Sequence, residues 1–349
     1  MIMGIGTAII GPGKSVSGYG IGQYVAREFM NDPMCELKVF VGRNAERVMH
    51  LAEDFRRLNP QKPFHGDLLS VDRIHEIFKR SDIDLIVICS PTHTHEKLIL
   101  GALESGKHVM VEKPLLGSYD TREAMDRTLE KIAVLQKKSG KALVTNCQRS
   151  ILVPHLRKAF DIPEHVSSIS IEMHNKTIDG RLENDEFLLN LLISHPLSIL
   201  MKFGLKRVAD FHIDSVANEQ SALSIAVLVN GYFNYVTGRT HFYITLKQAV
   251  EYCETILLFK ANQNTVKVSL EKNDDNEVQT RLELMTSPHQ TLLIPDQLKL
   301  FVQQTLNALS KNDLHSLPFS PDESICLYRI QKIVEEYYNE VTSQPKYNV

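Results

Sequence analysis

The 349-residue sequence has no tryptophan, and its five cysteines (Cys35, Cys89, Cys147, Cys253 and Cys326) are scattered without a C-x-x-C pair. That spacing supplies neither a disulfide framework nor a zinc site. Thiols inside apolar runs behave as small hydrophobes, so a reducing cytoplasm is the expected location. An excess of one charge is missing too. The 39 Lys and Arg residues against 42 Asp and Glu leave a formal charge of −3, well mixed along the chain. This excludes a nucleic-acid or membrane surface built on bulk charge. No apolar run approaches the ~20 residues of a membrane span. No basic segment precedes the first apolar residues, so no signal peptide is expected. Internal repeats and low-complexity tracts are likewise absent. The length has room for two domains, each able to bury a core.

What the sequence does contain begins with alternating strand and helix patterns. Thr7–Ile10, Glu36–Val41, Leu85–Ile88, His108–Val111 and Ala142–Asn146 read as short apolar strands. Helical spacing appears from Ile21 to Phe29, Ala45 to Phe55, Val71 to Phe78, Thr94 to Leu103 and Thr121 to Lys138, with His65-Gly66-Asp67 as a loop. Continuous apolar runs between helices indicate βαβ units and a parallel sheet covered on both faces. After about Arg149 the pattern changes. Ser168–Glu172, Tyr232–Val236, Thr255–Leu258, Val266–Leu270 and Thr280–Leu284 alternate, as in an antiparallel sheet with one open face. Helices are expected over Glu186–Phe203, Asp296–Leu309 and Pro321–Val341. The fold class is therefore α/β: a dinucleotide-type domain over residues 1–149 and an α+β domain with an open antiparallel sheet over residues 150–349.

The first strand runs into Gly11-Pro12-Gly13. A dinucleotide fingerprint, G-x-G-x-x-G, would place its third glycine at position 16, which is Val16. Taking Gly22 as the third glycine implies six inserted residues and puts that glycine at a helix N-terminus, where free N–H groups receive pyrophosphate. The overlapping A-x-x-x-x-G-K-S match is rejected as a phosphate loop, because it would seat Ile9 and Ile10 in a solvated cradle. Lys14 and Ser15 remain possible phosphate contacts. At the end of the second strand the chain reads Gly42-Arg43-Asn44, with no acid to hold a ribose 2′-hydroxyl. Arg43 suits a 2′-phosphate, which places NADP(H) ahead of NAD(H).

The most specific stretch is Ile83–Pro114. Cys89-Ser90-Pro91-Thr92-x-x-His95, then Ala102-Leu103-x-x-Gly106-Lys107-His108-Val109 and Glu112-Lys113-Pro114, resembles the Gfo/Idh/MocA oxidoreductases, which include glucose–fructose oxidoreductase and inositol dehydrogenase. Asn146-x-x-Arg149 with Pro154 resembles the family's domain-crossing segment. Ser194-His195-Pro196-Leu197-x-x-Leu200, closing at Gly204, resembles its active-site helix. The resemblance implies a Rossmann domain and an open-faced sheet. It also implies hydride transfer between a nicotinamide cofactor and a sugar, polyol or related carbonyl compound, in a homodimer or homotetramer formed through the C-terminal sheet. Gly11, Gly13, Gly22, Arg43, Asn44, Ser90, Pro91, Thr92, His95, Glu112, Lys113 and Arg149 are then expected at the cofactor.

Carbonyl reduction builds negative charge on oxygen, so a cation or proton donor must sit beside it. The resemblance gives this role to Lys113, with its pKa lowered by withdrawal from water. It makes His195 a second acid/base. Inositol-dehydrogenase-like members carry an Asp four residues before that histidine; here the position is Leu191, and Asn190 lies about 100° off that face. The polyol-oxidising dyad is absent, which favours reduction of a keto-sugar. The alternatives are a non-catalytic dinucleotide-binding regulator and an NAD-dependent redox-cycling hydrolase. Tyr232, Tyr235, His241 and Tyr243 either shape a pocket or pack. His93, His95 and His108 lack the acid or thiol that would complete a metal site, so none is expected.

Overall fold

The computed structural model describes residues 4–13, 21–58, 64–177, 181–235, 238–252, 256–274, 277–286 and 290–343. The chain divides into two compact units. One comprises Met1–Asn146 and Leu298–Ile325; the other comprises Cys147–Gln297 and Cys326–Val349.

In the first unit, strands and helices alternate as β1 (Ile5–Ile10), α1 (Gly22–Asn31), β2 (Cys35–Gly42), α2 (Ala45–Leu58), β3 (Asp67–Ser70), α3 (Ile74–Lys79), β4 (Leu85–Ile88), α4 (His95–Glu104), β5 (His108–Val111), α5 (Arg122–Ser139) and β6 (Leu143–Thr145). All six strands pair in parallel in the order β3-β2-β1-β4-β5-β6. The order reverses between β1 and β4, and ligands of such sheets bind outside the carboxyl ends of the strands at that switch. Every residue of β1 and β4 is buried, which explains their unbroken apolar sequences. Sequence also sets the ends of α5. The Thr121 hydroxyl accepts the Ala124 N–H at 3.2 Å, and Gly140 closes the helix at φ 63°. Two details differ from the sequence expectation. Asp67, taken as loop, opens the edge strand β3, and the helix from Val71 begins as a 3₁₀ turn over Val71–Arg73 before α3.

The second unit begins with α6 (Leu152–Phe160) and β7 (Ser168–Asn175), followed by α7 (Asp185–Leu192) and α8 (Ser194–Lys202). Then come β8 (Phe211–Gln220), β9 (Ser224–Tyr235), β10 (Gly238–Ala249), β11 (Ile256–Ala261), β12 (Asn264–Lys272), β13 (Val278–Leu284) and β14 (Thr291–Pro295). The chain ends in α9 (Gln297–Ser310) and α10 (Pro321–Ser343). The eight strands order as β14-β13-β12-β11-β7-β10-β9-β8. Every pair is antiparallel except β7 with β10, so the sheet is mixed rather than purely antiparallel. Alternate residues such as Ile169, Ile171, Val227, Phe233, Phe242, Ile244, Leu257 and Phe259 are fully buried on one face. Their neighbours, including Tyr232, His241 and Tyr243, are half-buried or exposed on the other. The helix expected over Glu186–Phe203 is two helices meeting at Ile193. Pro196 has no N–H for the Leu192 carbonyl, and the ladder lapses there.

Candidate functional site

The turn after β1 is a place where only backbone fits. Gly11 has φ +77°, and a Cβ there would lie 2.8 Å from the carbonyl of Cys89 and the nitrogen of Ser90. A Cβ on Gly22, the first residue of α1, would lie 2.1 Å from the Gly11 carbonyl oxygen. Gly22 thus brings the helix start against the strand turn, which is the packing task of a fingerprint's third glycine. Gly13 meets only the side chain of Leu51, at 3.2 Å. Gly11 and Gly22 thus let the strand turn, the Cys89–Ser90 turn and the start of α1 close on one another through backbone alone, the arrangement a dinucleotide-binding turn requires. Lys14, Ser15 and Val16 lie outside the described residues. Arg43 is exposed directly after β2. Its neighbour Asn44, expected at the cofactor, accepts the Arg47 N–H at 2.9 Å through its amide oxygen and so caps α2.

Beyond β4, Ser90 and Thr94 share a hydroxyl contact of 2.6 Å, and Thr94 also donates to the Pro91 carbonyl. Thr92 opens a 3₁₀ turn leading into α4. His95 is fully buried. One ring nitrogen, Nε2, lies 2.9 Å from the Ser90 carbonyl; the other, Nδ1, lies 3.0 Å from that of Pro114 and 3.3 Å from that of Leu115. Burial holds its pKa below the ordinary value against the pull of those three carbonyls. Both nitrogens face backbone carbonyls, and the neutral ring donates its single N–H to one side of them. It is a strut tying the Ser90 turn to the Pro114 turn.

At the end of β5 the backbone N–H of Glu112 donates to Ile88, and that of Asn146 donates to Val111, so the ends of β4, β5 and β6 stand in register. The Asn146 amide donates to the Glu112 carboxylate at 2.5 Å. Burial raises the Glu112 pKa to about 7, although the Asn146 hydrogen bond and the Lys113 charge both pull it down. Lys113 is half-buried at the mouth of the same strand, and the Lys113–Pro114 peptide is cis. The Asn146 side-chain oxygen and the Thr145 hydroxyl are buried without a hydrogen-bond partner.

In the second unit, His195 lies in the first turn of α8 and is half-buried; its carbonyl accepts the Ser198 hydroxyl at 2.7 Å. Leu191, where an acid was sought, is also half-buried. The adjacent Ser194 donates to Gln331 of α10 at 2.9 Å, and Gln331 in turn donates to Glu335 at 2.8 Å. The 3₁₀ turn Gln148–Ile151 packs against α8 and carries Arg149, which is buried. Burial lowers the Arg149 pKa to about 10, opposed only by the field of Asp296. On the open sheet face, Tyr232 stacks on His212 at 4.6 Å and lies 3.8 Å beneath the Arg239 guanidinium; Tyr235, which alternation places on the opposite face, stacks on His165 at 4.5 Å. These aromatics pack among themselves on the sheet.

Residues 5–137 match the model of the oxidoreductase family with an NAD-binding Rossmann fold, GFO_IDH_MocA. Over that segment, 133 of the 349 residues, the chain is similar to the Gfo/Idh/MocA family. It is 26% identical over 147 residues to 4-carboxy-2-hydroxymuconate-6-semialdehyde dehydrogenase of Sphingobium, covering 42% of this chain and 36% of the relative. It is 28% identical over 93 residues to myo-inositol 2-dehydrogenase of Thermotoga maritima, covering 26% of this chain and 28% of that protein. The curated relatives are thus matched over well under half of their length. The fold of UDP-N-acetylglucosamine 3-dehydrogenase from Acidithiobacillus ferrooxidans is similar at a TM-score of 0.65 and 14% identity, over 96% of this chain and 98% of that one.

The first unit gathers Gly11, Gly13, Gly22, Ser90, Glu112 and Lys113 along the carboxyl ends of β1, β4 and β5. His195 and Arg149 belong to the second unit. Asn146 as the Glu112 partner, and Gln331 as the support of Ser194, were not singled out as site residues from sequence. Asn146 had two signals, as the polar residue ending an apolar run and as the first residue of Asn146-x-x-Arg149. Gln331, 137 positions from Ser194, had none. No helix among the described residues is long and apolar enough to cross a membrane, and no group of three His, Cys, Asp or Glu side chains among them is placed to hold a metal ion.

Proposed function

We propose that this protein is an NAD(P)-dependent oxidoreductase acting on a sugar-like carbonyl or alcohol, with NADP(H) preferred. The observation that carries the reading is the all-backbone cradle of Gly11 and Gly22 at the switch point, next to the Lys113 strand end. Gly11, Gly13, Gly22, Ser90, Pro91 and Thr92 would hold the dinucleotide, and Arg43 would receive a 2′-phosphate. A bound nicotinamide supplies or accepts the hydride.

The residues do the remaining work. Lys113 presents its ammonium to the substrate oxygen and stabilises the negative charge that develops there. Glu112, almost out of water, sets the field at that ammonium: ionised it holds the positive charge, protonated it releases it. His195 holds or gives up a proton as the second acid/base. With Leu191 unable to orient its ring, His195 serves reduction better than alcohol oxidation. The open face of the second unit's sheet would join copies into a dimer or tetramer.

The test is turnover of NADPH with a panel of keto-sugars. Lys113→Met should lower kcat by at least 10²-fold while the dissociation constant for NADPH changes by less than threefold. Full activity in that variant would overturn the assignment of Lys113. NADPH binding without oxidation on any carbonyl would instead identify a regulator built on the same fold.

A further inference from the structure

The segment that follows Lys113 is fastened along the start of α4 at three points. The first is the fully buried His95 ring, whose Nδ1 lies 3.0 Å from the Pro114 carbonyl and 3.3 Å from that of Leu115. The second is Gly117, which lies so close to the His93 turn that a Cβ there would stand 3.3 Å from the His93 Cα. The third is Tyr119, which donates to the Glu96 carboxylate at 2.7 Å; Thr128 of α5 donates to the other oxygen of that carboxylate at 3.3 Å. Residues 114–119 thus form a strap, and Lys113 stands at its head. The opposite edge of the His95 ring faces the Ser90 carbonyl at 2.9 Å, in the turn that Ser90, Pro91 and Thr94 close on one another. A neutral ring carries one N–H. Given to Ser90, it leaves the Pro114 side facing a lone pair; given to Pro114, it leaves Ser90 so. The two turns therefore compete for one proton, on a ring sealed from solvent.

We propose that His95 is a positioning residue: its Nδ1 edge sets Lys113 through the strap, its Nε2 edge sets the Ser90–Thr94 turn for the dinucleotide, and the shared proton couples the two. It acts through backbone on both sides. The Pro114 carbonyl is one residue from Lys113, and the Ser90 carbonyl opens the turn that presents Pro91 and Thr92. Every residue of this linkage lies in the first unit. Such placement governs rate, because a reacting group about 1 Å out of line costs on the order of 10²-fold. Full burial suits the task, since packing and hydrogen bonds lock the ring that does the positioning. The inference rests on the oxidoreductase reading for what Lys113 does, but one arm of its test needs no turnover.

Two amides divide the ring. The nitrogen of Asn stands as many bonds from the backbone as Nδ1, and that of Gln as many as Nε2. His95→Asn therefore keeps the strap contact, and His95→Gln keeps the Ser90 contact. Three quantities are measured on the full chain: kcat with NADPH and keto-sugars, the NADPH dissociation constant, and the acetylation rate of Lys113 by acetic anhydride without cofactor. The last is read by peptide mass spectrometry against the exposed Lys137. His95→Gln should lower kcat about tenfold more than His95→Asn does. His95→Asn should weaken NADPH binding about fivefold more than His95→Gln does. The released lysine should be acetylated about threefold faster in His95→Gln than in the wild type, whereas His95→Asn should match the wild type. Tyr119→Phe, which frees the far end of the strap at a half-buried site, should speed that acetylation too and keep the NADPH affinity of the wild type. Equal losses in the two His95 variants, or unfolding of either, would mark a histidine that only holds the fold. An unchanged Lys113 rate in Tyr119→Phe would mean that the strap does not set the lysine. Either result overturns the proposal. The expected acetylation pattern in a chain that turns over no carbonyl would sink the oxidoreductase reading and keep His95 in its role; turnover of keto-sugars without the pattern would do the reverse.

Discussion

Glu112 is drawn in two directions. Burial favours its neutral form, the Asn146 amide and the Lys113 charge favour the ionised one, and burial wins by enough to raise the pKa from 4.5 to about 7. Proton linkage turns this into a stability statement. A carboxyl that holds its proton more tightly when folded contributes fully below pH 4.5, and that contribution is lost as the pH rises through about 7. At about 1.36 kcal/mol per pH unit, the whole effect is on the order of 3 kcal/mol. His108 works the other way. Burial and the Lys141 charge lower its pKa from 6.5 to about 4, so its contribution is present above 6.5 and lost as the pH falls towards 4. The two overlap between about pH 4.5 and 6.5, and the raw stability profile mixes them. The difference between wild type and Glu112→Gln isolates the carboxyl. Urea unfolding at pH 5 and pH 8 should show the wild type losing stability relative to the variant by up to ~3 kcal/mol as the pH rises. A difference that stays flat would mean the carboxyl ionises normally in the fold.

Among the elements, α8 depends on a tether that lies far away in sequence. Ser194 donates to Gln331, which is 1% exposed, and removing the hydroxyl strands a buried amide oxygen. Ser194→Ala should therefore cost about 1–3 kcal/mol in chemical denaturation. Adding Gln331→Met, which removes the stranded acceptor, should recover part of that loss; strictly additive costs would show that the two residues are not coupled. Such tethers are what the sequence conceals. Strands β1, β4 and β5 were legible because burial on both faces demands unbroken apolar runs, and α5 because Thr121 and Gly140 mark its ends. The edge strands β3 and β14 escaped notice because each has a single buried residue and so no apolar run or regular alternation, and the helix α6 was not read either. Strand β8 is mostly exposed and lacks the alternation that marks its neighbours. The parallel pairing of β7 with β10 could not have been read, since a half-covered sheet imposes the same alternation on either direction of pairing. At the site, the glycine cradle and Lys113 were visible as local motifs. The contacts of the His95 ring with the Ser90, Pro114 and Leu115 carbonyls were not visible, because a motif records which residues stand together and not which way a ring turns.

On the scale of the whole molecule, the chain builds two units that exchange segments. The helix α9 returns to the first unit after the second sheet is complete, and α10 starts in the first unit and runs on in the second. Every residue proposed to hold the dinucleotide lies in the first unit, in segments joined by backbone hydrogen bonds at the ends of β1, β4, β5 and β6. A ligand that binds only the folded cradle stabilises it by RT ln(1 + [L]/Kd), about 2.7 kcal/mol at a hundredfold excess over Kd, which slows exchange through unfolding of that unit about a hundredfold. Hydrogen exchange of the full chain with and without NADPH should therefore show the largest new protection at residues 8–13, 22–25, 85–95 and 109–113. The strands β8–β14 should change far less. Arg43 gives the cofactor dependence. NADH at the same concentration should protect the same segments more weakly, and Arg43→Ala should bring the NADPH response down towards it, since the 2′-phosphate would have lost its guanidinium. Equal protection by the two cofactors would remove the role given to Arg43. Protection spread evenly over both sheets would mean that the cradle is not an independent seat for the cofactor and that the two units open together.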